Sequence, residues 1–156
     1  MFKVNVDGAV LAELKVVVIG VVIRDMEGKV KAALCKKINA LFRPVEAEAK
    51  AFEMGIQFAK DMGIRDVLIE GDSLIVQRAL NELASPPPSV DAVIVGIQDA
   101  SADFHHIAFT HVGRQGNKPA QLLAKYAKSI NNVLVRIEEI PCVIEQALIH
   151  DVMSFQ

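Results

Sequence analysis

The chain has 156 residues, of which 52% are hydrophobic and 23% charged, enough for one domain with a sizeable core. Seventeen basic against nineteen acidic side chains give a net charge of -2, so overall charge advertises no polyanion partner. Cys35 and Cys142 lack a CxxC partner, and the apolar runs 16–23 and 90–97 fall well short of the roughly 20 residues a membrane span needs. A disulfide framework, a cysteine zinc site and a membrane helix are therefore not indicated. With no charged segment and apolar signal core at the N-terminus, the expected location is intracellular, nuclear or cytoplasmic.

Phe2 to Asp7 alternates apolar and polar residues as a strand does. Val16 to Arg24 is rich in β-branched residues and runs into the turn signal Asp25-Met26-Glu27-Gly28, after which Lys29 to Ile38 resumes the pattern. These three strands are expected to form an antiparallel meander. Pro44 suits a helix start, and Val45, Ala49, Phe52, Ile56 and Ala59 recur at helical spacing until Met62-Gly63. Asp66 to Gly71 reads as a buried parallel strand and Ser73 to Leu83 as a helix. The stretch Ser85-Pro86-Pro87-Pro88-Ser89 is a rigid connection. A helix from Asp91 to about Ala100, a strand from Phe104 to Val112, a loop over Gly113 to Asn117 and a closing helix from Pro119 to Lys128 follow. The pattern leaves the tail from Asn131 onward unassigned. Alternating helix and strand units after a meander imply an α/β fold with a mixed five-stranded sheet, three antiparallel strands followed by parallel ones, and helices packed on it.

Charge is distributed unevenly along this framework. From His111 to Lys128 there are four cations (Arg114, Lys118, Lys125, Lys128) and no acid, whereas from Glu138 to the end there are four acids and no Lys or Arg. A local basic face survives the neutral average.

Three carboxylates sit where strand and helix patterns meet. Asp7 ends the first alternation, Glu48 lies in the first turns of the long helix, and Asp72 follows Glu70-Gly71. Each has an ordinary role available: a turn for Asp7-Gly8, a helix cap for Asp72-Ser73, a dipole partner for Glu46 or Glu48. At 100° per residue, Glu48 lies about 60° from the centre of the stripe through Val45, Ala49, Phe52 and Ile56, while Glu46 lies about 100° away on the other side. Glu48 thus borders the sheet, beside small Ala51 and Gly55 that allow close approach. Gathered at one sheet end, the three acids repel one another unless divalent cations neutralise them.

The runs Asn5-Val6-Asp7-Gly8-Ala9, Gly20-Val21-Val22-Ile23-Arg24-Asp25, Glu48-Ala49-Lys50-Ala51, Glu70-Gly71-Asp72-Ser73 and His111-Val112-Gly113-Arg114-Gln115-Gly116-Asn117 together resemble the ribonuclease H family. Within it they resemble the reverse-transcriptase-like RNase H domains common in plant genomes and retroelements. The resemblance spans about residues 2 to 128 and implies an RNase H-like domain over 1–130, with 131–156 as an extension packed on or trailing from it. It further implies hydrolysis of the RNA strand of RNA–DNA hybrids by a two-metal mechanism, with two Mg²⁺ or Mn²⁺ ions held by Asp7, Glu48 and Asp72. Ser73, Arg114, Asn117 and Lys118 become candidate substrate contacts, Asn117 at the rim. A parent polyprotein or a protein partner is a further expectation.

The departures are equally specific. The family places a fourth carboxylate four residues after the loop asparagine, and that count from Asn117 ends on Gln121. An amide carbonyl can ligate Mg²⁺ but brings no charge, so impaired activity is expected. His111 precedes the short loop instead of lying within it, and is read as a strand-end residue. The segment 84–91 carries no cationic, Trp-bearing protrusion. The alternative reading is an inactive, retroelement-derived module that binds hybrids or proteins.

Overall fold

The computed structural model describes residues 1–139 and 144–145. Strands β1 (Phe2–Leu11), β2 (Val16–Asp25) and β3 (Val30–Ile38) form the antiparallel meander. The β2–β3 turn is closed by the Asp25 carboxylate, which accepts from the backbone N–H of Glu27 and Lys29 at 2.9 Å each. Helix α1 (Pro44–Asp61) leads to β4 (Asp66–Gly71), which pairs parallel with β1 from Phe2↔Val67 to Asn5↔Glu70. Helices α2 (Leu74–Leu80) and α3 (Asp91–Ser101) precede β5 (His106–His111), parallel to β4. Helix α4 (Lys118–Tyr126) follows a 3-10 turn over Arg114–Asn117.

The expected five-stranded sheet is corrected to six strands among the described residues, in the order β5-β4-β1-β2-β3-β6. The added strand, β6 (Val133–Ile137), pairs antiparallel with the free edge of β3. Its sequence gave no clean signal because both faces of this edge strand are partly exposed, so no polar/apolar alternation marks it. Cys142 and much of the expected extension over 131–156 lie outside the described residues.

Both faces of the sheet are covered, which explains why β2 reads as an unbroken apolar run. Val17, Ile19, Val21 and Ile23 join the core under α1, whereas Val16, Val18 and Val22 join the core under α4 with Leu123, Ala124 and Ile144. Two glycines set how closely these helices approach. A Cβ on Gly8 would lie 2.2 Å from the Ala47 carbonyl oxygen of α1, and one on Gly20 would lie 2.2 Å from the Ala120 carbonyl oxygen of α4. Gly8 follows Asp7 in β1 and Gly20 is the cross-strand partner of Asp7. Both helices are thus drawn onto the sheet beside this carboxylate.

Candidate active site

The β1–β4 pairing ends at Asn5↔Glu70, one residue before β4 itself ends at Gly71. Asp7 lies just past the last pair in β1 and Asp72 just past the end of β4, and the close contact of α1 at Gly8 brings Glu48 near both. Ligand oxygens of Asp7, Glu48 and Asp72 all lie within 4.8 Å of one another. Asp7 is buried and the other two are half-buried. Burial, the Asp72 charge and, opposing them, the Arg114 cation together raise the Asp7 carboxyl to about 6. Glu48 is pushed up to about 9 by burial and by the charges of Asp7 and Asp72, although the Gly8 backbone N–H bonds to it.

This arrangement costs free energy without a counter-charge. The Glu48 Oε2 atom is enclosed and has no hydrogen-bond partner, and a buried acceptor left unmade costs on the order of 1–3 kcal/mol. A divalent cation would satisfy that oxygen and reverse the repulsion that holds protons on the cluster. The donor set is all carboxylate oxygen, which suits Mg²⁺ or Mn²⁺ rather than a softer ion. The residues present fit the group.

Gln121, in the first turns of α4, reaches the same place. Its Nε2 donates to the Arg114 carbonyl at 2.8 Å and to Asp72 Oδ2 at 3.4 Å. The Arg114 carbonyl can only accept, which fixes the amide nitrogen on that side. The side chain thus turns its N–H toward the cluster. From Asp7 a groove of about 590 Å³ extends along Ala9, Leu11 and Val18, walled by Leu122 and by the cations Arg114, Lys118 and Lys125. Of the four cations of the expected basic face, Arg114, Lys118 and Lys125 line this groove and Lys128 does not.

The structure also places Ser73, Asn117 and His111. Ser73 caps α2, its hydroxyl accepting from the Val76 N–H at 3.4 Å, next to Asp72. Asn117 is corrected from the rim to the interior: it is 0% exposed. Its Nδ2 donates to the Val6 carbonyl at 2.8 Å and its Oδ1 accepts from Asn5 at 3.3 Å, so its polar atoms are spent inside the protein. His111 is the exposed last residue of β5, as expected of a strand end. Sequence reasoning missed Asn5 and Arg24, both buried polar residues. Asn5 stood in the strand alternation as an outward position, and nothing local signals that α4 covers that face.

A family model described as reverse transcriptase-like matches residues 5–127. The chain belongs to the reverse transcriptase-like family. As a family member it has the RNase H-like fold, and solved structures agree. RNase H1 from the halophilic archaeon Halobacterium salinarum NRC-1 superposes with a TM-score of 0.76 at 25% identity, covering 82% of this chain and 97% of that one. LC11-RNase H1, solved in complex with an RNA/DNA hybrid, gives 0.75 at 19% identity over 84% and 100% of the two chains. The foamy viral protease-reverse transcriptase, also in complex with RNA/DNA hybrid, gives 0.64 at 20% identity; the match covers 81% of this chain but 19% of that larger protein. No curated protein matches the sequence. Among the described residues no helix is long and apolar enough to cross a membrane.

Proposed function

We propose that this reverse transcriptase-like domain is a metal-dependent endonuclease that hydrolyses the RNA strand of RNA–DNA hybrids. The observation that carries the reading is the convergence of Asp7, Glu48 and Asp72 with an enclosed, unpartnered Glu48 oxygen. Asp7, Glu48 and Asp72 would hold Mg²⁺ or Mn²⁺, two ions in the expected mechanism. Bound there, the ions would lower the pKa of an attacking water and stabilise the leaving 3′ oxygen, leaving a 5′ phosphate.

The protein's own groups do the rest. Asp7, the buried member of the cluster, would hold the ions together with Glu48 and Asp72. Arg114, Lys118 and Lys125 flank the groove that leads to Asp7 and are assigned to phosphates of the hybrid. Ser73, beside Asp72, is assigned a substrate contact of its own, and 2′-hydroxyl recognition would select RNA over DNA. Two structural neighbours, LC11-RNase H1 and the foamy viral protease-reverse transcriptase, were solved with RNA/DNA hybrids, and the match covers 19% of the second, which supports a hybrid partner and a larger parent chain. We assign residues 1–130 to the catalytic domain and 131–156 to an extension of it, whose strand Val133–Ile137 joins the edge of the sheet at β3. A hybrid substrate places the work inside the cell, in nucleus or cytoplasm.

Gln121 favours a second reading, an inactive hybrid-binding or protein-interaction module, because its N–H faces Asp72 where the family pattern has a carboxylate. Incubation with a labelled RNA–DNA hybrid in Mg²⁺ and in Mn²⁺ tests the two. RNA-strand cleavage that disappears in Asp7→Asn supports the nuclease; binding without cleavage in either metal supports the module.

A further inference from the structure

Beside the carboxylate cluster, on the α4 face of the sheet, lies a chain of polar side chains that is almost completely enclosed. Asn5 and Asn117 are 0% exposed and Arg24 is 7% exposed. Arg24 Nη2 donates to Asn5 Oδ1 at 2.8 Å, and Asn5 Nδ2 donates to Glu70 Oε2 at 3.1 Å and to Asn117 Oδ1 at 3.3 Å. Asn117 Nδ2 then donates to the Val6 carbonyl at 2.8 Å. Enclosed polar groups are retained only when they are satisfied, and a network of them fixes a single arrangement.

The location of the last bond is what matters. Val6 is the first β1 residue past the final β1–β4 pair, so its carbonyl has lost β4 as a neighbour, and Asn117 supplies the missing donor. The same asparagine sits at the base of α4, between Arg114 and Gln121, whose side chains reach the site. We propose that Asn117, held in place by Asn5 and Arg24, is a positioning residue that wedges β1 from β4 and so sets the separation of Asp7 from Asp72 for cation binding. The cationic part of this inference rests on the proposed nuclease reading. The wedge itself is a property of the protein without metal.

The test compares the parent with Asn117→Leu, which keeps the volume but removes both bonds, and with Leu123→Ala, a control in the α4 core that destabilises without touching the network. Mn²⁺ affinity of the folded proteins is measured by calorimetry well below their melting temperatures, and amide exchange of Gly8 is measured in EDTA. Loss of an outer-shell partner lowers metal affinity by about 10- to 100-fold, so Asn117→Leu should bind Mn²⁺ at least tenfold more weakly while Leu123→Ala binds like the parent. Gly8, whose N–H bonds to Glu48, should exchange faster in Asn117→Leu than in Leu123→Ala. If Asn117→Leu does not fold, Asn117→Ala, which removes both bonds without adding bulk or charge, replaces it with the same expectations. Parent-like Mn²⁺ affinity together with parent-like Gly8 exchange in a folded variant overturns the wedge. A parent that binds no Mn²⁺ overturns the metal reading instead, and Gly8 exchange alone then decides the wedge.

Discussion

Asp7 carries the largest share of the proposed chemistry and also part of the repulsion. Asp7→Asn is expected to reduce hybrid cleavage to background while leaving the metal-free protein as stable as the parent or more so, since it removes one member of a crowded set of acids. Cleavage rates and thermal melts in EDTA check both halves; undiminished cleavage would remove Asp7 from the mechanism. Gln121→Asp is the complementary change. It exchanges an N–H that now bonds Asp72 for a negative charge, so cation affinity should rise and the metal-free protein should melt lower. Rate against Mg²⁺ concentration for parent and variant, with double-stranded DNA as the control substrate, should show half-maximal activity at lower Mg²⁺. A folded variant as inactive as an inactive parent points to the binding module.

At the scale of elements, the site depends on two helices pressed onto the two faces of one strand pair. Gly20 is where α4 approaches most closely, and Gly20→Ala would drive a methyl group into the Ala120 carbonyl. Overpacking of this kind should cost about 2 kcal/mol, a fall in melting temperature of roughly 6 °C. Because α4 also carries Gln121 and Lys118, the displaced helix should weaken hybrid binding beyond what the melt alone predicts. The cations on α4 make a separate prediction. If Lys118 and Lys125 each contact a phosphate, replacing both by Ala should reduce the slope of log K against log salt by about 1.8, at roughly 0.9 per contact. Hybrid binding titrated across salt concentrations measures this, and an unchanged slope would leave the two lysines as a solvated helix face.

For the whole molecule, the cluster ties folding stability to pH and to metal. Glu48 is raised from 4.5 to about 9 and Asp7 from 3.8 to about 6, so between those values the folded protein holds protons that the unfolded chain has released. The contribution of these two groups to the stability of the metal-free protein is then fully present below about pH 4 and is lost as pH rises. Asp7 contributes to the fall up to about pH 6 and Glu48 up to about pH 9, with a slope of up to about 1.4 kcal/mol per pH unit for each proton. Denaturant melts in EDTA across this range should show the decline, Mg²⁺ should flatten it, and Glu48→Gln should abolish the portion above pH 6. Much of this architecture was legible in the sequence, because hydrophobic periodicity is a local property: β4 runs over Asp66–Gly71 and α1 starts at Pro44 as the pattern implied. The acids were legible as a set through the order of their motifs, and the half-buried position of Glu48 through helical spacing alone. What periodicity could not supply was anything decided by neighbours distant in sequence. Val133–Ile137 became a sixth strand because β3 offered it an open edge. Asn117 turned inward to donate to the Val6 carbonyl, just past the last β1–β4 pair, a partner 111 residues away in sequence. Gln121 turned its nitrogen toward Asp72 because the Arg114 carbonyl, seven residues back in sequence, accepts only an N–H.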